Sequence, residues 1–230
     1  MSKLVILVSV LVVLGIGMTA VLRTPQENLE AGKSIAATAR RAKAEGRTSV
    51  VIPGPILEYP NMGADLDTLL AKYSAVVVEV AESKSFIADS DPDSIRTAYK
   101  FRIIEPLTQK AAAVCESCPP LADISNQVSP ATSNEFILEV AGGSVSIDGV
   151  AVTMTNSGKL AFEKGKKYLM LVSFTPGGMA RLAAGPSSVF KVHDDESIET
   201  MAKPENLIPS QVAARFSNNL TRFKQAARRF

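Results

Sequence analysis

Cys115 and Cys118, in the stretch AVCESCPP, are the only thiols in the chain. A pair at this spacing can act as a redox dithiol, supply half of a metal site or close a small disulfide loop. A redox dithiol needs its first cysteine at the start of a helix, where the helix N-terminus lowers the thiol pKa. Pro119 and Pro120 follow directly and oppose such a helix. Covalent haem attachment needs a histidine after the second cysteine, and Pro119 stands there. Structural zinc needs four ligands, and His193 is the single histidine available to join the two thiolates. A disulfide between Cys115 and Cys118 is the expectation, with a reactive dithiol, a metal pair and free buried or solvated thiols as the alternatives. So small a loop stabilises by less than ~3 kcal/mol through chain entropy.

Other polar clusters are read as surface structure. DSDPDS places Asp89, Asp91 and Asp93 at alternate positions, as calcium loops do. No glycine follows Asp93, and Lys100 stands where the bidentate glutamate belongs. A polar hairpin tip is expected. HDDE, His193 to Glu196, is a cluster of metal-binding or acid–base type, and a solvated linker is expected there. The sortase order, with His before Cys, is reversed in this chain. No G-x-S-x-G, phosphate loop or H-E-x-x-H occurs. A Ser-Lys dyad stays open, because any serine and lysine can meet in a fold. The reading assigns no catalytic residue, no metal ligand and no cofactor.

These residues sit in a chain of 230 with net charge +2, no Trp and one His. Near-neutral charge and scarce aromatic stacking surface give no basis for a nucleic-acid partner. Leu4 to Leu22 carries no charge between Lys3 and Arg23. Such a run can span a bilayer or serve as a secretory signal. Bulky Met18 occupies the position before a cut after Ala20 where a small residue is preferred, which favours a retained anchor. Arg23, Lys33, Arg40 and Arg41 on the long side argue for a cytoplasmic domain by the positive-inside rule. The export layout of an apolar run at the extreme N-terminus argues for the opposite side, and an extracytoplasmic domain is the expectation. The membrane is thus an expected partner through residues 4–22. The location is the bacterial envelope, anchored, or secreted if cleaved.

The elements follow from periodicity. TPQE, Thr24 to Glu27, is a capping box and predicts a helix to about Ala44, closed by Gly46. Leu66, Leu69 and Leu70 mark a short helix between Ala64 and Tyr73. AVVVEVAE and IRTAYKFRIIE, joined by the aspartate turn, predict a long hairpin. EFILEV, SVSI and VAVTM follow, the last two joined by Asp148-Gly149, a strong hairpin signal. KKYLMLVSF is apolar on both faces and reads as a central strand. MARLAA and SSVFKV are short closing strands. Val212, Phe216, Leu220, Phe223, Ala227 and Phe230 recur at helical spacing and predict one amphipathic helix from Ser210 to Phe230. That helix is expected to pack on the β-domain. Phe216, Leu220 and Phe223 are also its candidate docking residues for a protein partner.

The stretch from Tyr73 to His193 resembles a group of uncharacterised exported bacterial proteins with small β-barrel domains. The resemblance rests on YSAVVVEVAES with TAYKFRIIEPL, on VAGGSVSIDG, and on LAFEKGKKYLMLVSF with RLAAGPSSVFKV. The order of elements is similar to the OB-like barrel of netrin and metalloproteinase-inhibitor modules. Such inhibitors insert an N-terminal cysteine into a zinc site, and no cysteine stands near this N-terminus, so inhibition is not implied. The expected fold is mainly β with flanking helices: a small OB-like β-barrel, an N-terminal membrane helix and a C-terminal amphipathic helix. The expected segments are an anchor or signal at 1–23, a helical stalk at 24–47, the barrel at 48–200 and the terminal helix at 201–230. A non-catalytic binding or assembly module is the expected function. A thiol-disulfide protein and a subunit docking through the last helix are the alternatives.

Overall fold

Strand β2 (Ser74–Ala88) and strand β3 (Asp91–Pro106) form the long hairpin around which the chain is arranged. The computed structural model describes residues 34–55, 59, 61–89, 91–108, 127–155, 160–175 and 178–230. Within these the fold is mainly β with flanking helices. One half of the hairpin builds a ring. β3 pairs with β4 (Glu135–Ala141), and β2 pairs with β7 (Lys167–Thr175), both antiparallel. Strand β8 (Met179–Leu182) closes the circuit. It lies antiparallel to β7 and parallel to β4, through Ile137–Met179 and Leu138–Ala180. β9 (Val189–Val192) and β10 (Ile198–Thr200) extend the sheet from β7.

The period-two pattern explains two cores on either side of the same strands. Val76, Val78 and Val80 of β2 and Met170 and Val172 of β7 point into the ring with Phe101, Phe136 and Leu138. Their neighbours Ala75, Val77, Leu169 and Leu171 point outward into a helical layer. This is why the β7 segment is apolar on both faces. The helical layer contains α2 (Leu66–Lys72), whose Leu66, Leu69 and Leu70 are fully buried. Each such side chain contributes about 1.5–3 kcal/mol.

The other half of the hairpin packs on a second, three-stranded sheet of order β1-β6-β5. Its members are β1 (Ser49–Pro53), β5 (Gly143–Ile147) and β6 (Val150–Thr155). SVSI and VAVTM therefore lie outside the ring. Gly143 marks the junction. It has φ +137°, and a Cβ there would lie 2.3 Å from Thr97 Oγ1 and 2.5 Å from Ser85 Oγ. Helix α1 (Ile35–Ala44) covers this sheet with Ile35, Ala39 and Ala42. It begins at Ser34, whose extended backbone and side-chain cap on the Ala37 N–H break the longer helix expected from the capping box at Thr24. That capping box lies outside the described residues. No helix among the described residues is long and apolar enough to cross a membrane, and Leu4 to Leu22 is not among them.

The single terminal helix expected from Ser210 to Phe230 is two helices, α3 (Leu207–Phe216) and α4 (Leu220–Ala227). Ser217 and Asn218 both take left-handed backbone at φ 52°. Asn218 suits that conformation better than most residues. Asn219 then caps α4 by accepting from Arg222 N at 3.1 Å. The apolar spacing runs across the break because both helices bury the same stripe from Val212 to Ala227; Phe230, expected as its last member, lies past α4 and is exposed. The break exposes backbone groups that β10 and the turn before it use: Ile198 N donates to Asn218 O, and Leu220 N donates to Glu196 O.

Candidate functional site

A column of aromatic rings runs through the ring of strands. Phe162 meets Phe101 edge-on at 5.1 Å, Phe101 stacks on Phe136 at 5.2 Å, and Phe136 meets Phe174 at 5.5 Å. Edge-to-face and offset contacts of this kind add to the gain from burial. At one end Leu160 and Phe162 fill the interior beside Tyr99 and Tyr168. At the other end, where β2 begins and β3 and β7 finish, the column stops at half-buried Phe174.

A cleft of about 230 Å³ opens there, lined by Val76, Ile103, Pro106, Thr108, Ser133, Asn134 and Phe174. Its floor is apolar and its rim is hydroxyl and amide. None of the described lining side chains is titratable. The rim is firmly placed. Ile103 N donates to Asn134 O at 2.8 Å, and Thr108 Oγ1 accepts from Ala75 N at 2.9 Å. The turn before β4 is closed by Glu135, which accepts from Thr132 N at 3.0 Å and from Thr132 Oγ1 at 2.8 Å. These bonds, with Lys100 nearby, hold the Glu135 carboxyl below the usual carboxylate range. The Ser133 hydroxyl has no partner among the described residues.

Behind this turn a serine and a lysine do meet. Lys100 Nζ lies 3.0 Å from Ser129 Oγ and 3.1 Å from Glu135. Ser129 Oγ in turn donates to Glu82 at 2.9 Å. A Ser-Lys dyad requires the hydroxyl to give its proton toward the amine. Here the ammonium donates to the hydroxyl oxygen, and the hydroxyl proton is directed to Glu82. With Lys100 itself buried, the group acts as a clasp that fastens residues 129–135 onto β2, through Glu82, and β3, through Lys100.

Phe216, Leu220 and Phe223 lie inside the chain's own helical layer, at 5%, 4% and 0% exposure. Phe216 and Phe223 meet edge-on at 5.3 Å. Arg222 faces outward, and Lys224 pairs with Glu105 at 2.7 Å. Cys115 and Cys118 lie outside the described residues. The HDDE segment forms a turn between β9 and β10. Asp195 accepts from Ser197 N and Oγ, which lowers its pKa, and His193 Nε2 stands 3.2 Å from Glu199. Among the described residues no group of three or more His, Cys, Asp or Glu side chains is placed to hold a metal ion.

Sequence reasoning did not single out the cleft or the clasp. ATSNEF carries a Thr-Ser-Asn turn signal before a strand, which marks the rim but not what stands opposite it. No family model matches this chain, and no curated protein matches it.

Proposed function

We propose that this chain is a non-catalytic binding or assembly module of the bacterial envelope, held by Leu4 to Leu22 or exported through it, with its folded part on the extracytoplasmic side. In this reading the strand ring is a small OB-like barrel. The five-strand circuit β2-β3-β4-β8-β7, with β4–β8 as its one parallel contact, supports that assignment. The observation that carries the functional reading is the cleft. It is placed by firm backbone contacts, ends an aromatic column and has no titratable group among its described lining residues, which favours recognition over acid–base or nucleophilic chemistry.

The test is a single cysteine at the rim, Ser133→Cys, in a full chain also carrying Cys115→Ser and Cys118→Ser. A membrane-impermeant maleimide should label it in spheroplasts, and more slowly than in the purified chain because a bound partner shields the cleft. Labelling only after lysis would overturn the extracytoplasmic placement. Equal rates in spheroplasts and purified protein would overturn the binding reading.

A further inference from the structure

We infer that the cleft receives an uncharged aromatic group carrying one N–H or O–H, presented by the module's ligand. This rests on the binding-module reading and names the chemistry of the ligand. Volume sets the size. An engineered apolar cavity of ~150 Å³ binds benzene, so the solvent-open cleft of about 230 Å³ has room for one or two fused rings. The wall sets the shape. Phe174 is the half-buried end of the aromatic column, already held by Phe136 at 5.5 Å, so a flat ring extends the column by one member.

The lining sets the charge. An ionised ligand would be desolvated against Val76, Ile103, Pro106 and Phe174, and none of the described lining residues carries an opposite charge. Charged residues beside the lining in sequence already have partners among the described residues: Glu135 is held by Lys100 and Thr132, Arg102 pairs with Glu79 at 2.8 Å, and Glu105 pairs with Lys224 at 2.7 Å. The rim sets the one polar contact. Exposed Ser133 has no hydrogen-bond partner among the described residues, whereas Asn134 Oδ1 already accepts from Thr132 Oγ1 at 2.9 Å, so the Ser133 oxygen is the rim acceptor for one donor on the ring edge.

The probe is indole, with benzoate as a charged aromatic of similar size. The full chain in lipid nanodiscs, methyl-labelled, is titrated with each. Indole should shift the Val76 and Ile103 methyl signals saturably. Benzoate should bind weaker by roughly tenfold or more. Ser133→Trp, which fills the cleft from the exposed rim, should abolish the indole shifts. Phe174→Leu, which keeps the volume apolar but removes the ring, should weaken them and serves if the tryptophan variant does not fold. Absence of saturable shifts, equal affinity for benzoate, or shifts unchanged in the variants would overturn the inference. If Ser133→Cys is shielded in spheroplasts while indole fails, the module still binds at the cleft and only the ligand class is wrong.

Discussion

Replacing Phe223 by alanine probes whether the two terminal helices are part of the folded core. Phe223 is 0% exposed, contacts Phe216 edge-on at 5.3 Å, and sits in the cluster that joins α2, α3 and α4 to the outward residues of β2 and β7. Truncating a buried Phe to Ala costs about 3–5 kcal/mol, because the transfer term is joined by a cavity that close-packed neighbours cannot fill. The lost ring pair is included in that range. For a domain of this size each kcal/mol moves the melting temperature by about 2–4 °C, so Phe223→Ala should melt roughly 10 °C lower. The assay is thermal unfolding of the full chain by circular dichroism. Arg222→Ala is the control: the Arg222 side chain faces solvent and donates to Ser217 Oγ at 3.0 Å, and its backbone bond to Asn219 survives the change, so its loss should cost less than about 0.5 kcal/mol. A Phe223→Ala chain that melts within 2 °C of the parent would refute the packing argument.

Lys100→Met should cost about 1–3 kcal/mol in urea unfolding by stranding Glu135 and Ser129, and Glu135→Gln in the same chain should recover part of the loss. Gly143→Ala should destabilise both sheets, because the new Cβ meets Thr97 and Ser85 and the backbone keeps φ +137° only with strain; a parental melting curve would count against it. Asp65 and Asp195 have folded pKa values lowered by their bonds to Thr68 and Ser197. Their contribution is therefore present above the unfolded carboxyl pKa near ~4 and lost as pH falls through the folded values, so Asp65→Asn with Asp195→Asn should flatten the acid limb of melting temperature against pH below about 5. Cys115 and Cys118 should resist maleimide in the native chain until a reductant is added; rapid labelling beforehand would favour the reactive dithiol.

Local pattern carried far in this chain where strands and helices bury one face each. The β2–β3 hairpin is legible because Tyr99, Phe101 and Ile103 alternate with Lys100 and Arg102, and its turn falls among the aspartates. The two-faced burial of β7 is legible for the same reason, since a strand with a core on each side has no polar face to spare. Ring closure is not legible, because β8 joins β4 through two register pairs set by the whole circuit. The helix break at Ser217 and Asn218 is hidden by an apolar stripe that continues across it, although Ser-Asn-Asn is a stop-and-cap signal in its own right. The candidate site is least legible of all. Val76, Ile103, Ser133 and Phe174 come from four separate segments, and nothing in any one of them indicates the others.

The claim at the centre of this account is that the uncharged end of the strand ring is where the module meets its ligand. A photoreactive phenylalanine at Thr132, exposed beside the rim and outside the cleft lining, activated in whole cells carrying the full chain, tests it most directly, with the same residue at exposed Arg229 as the control. One discrete adduct that free indole suppresses is expected from position 132, and none from position 229. No adduct at 132, or the same adducts at both positions, would contradict it.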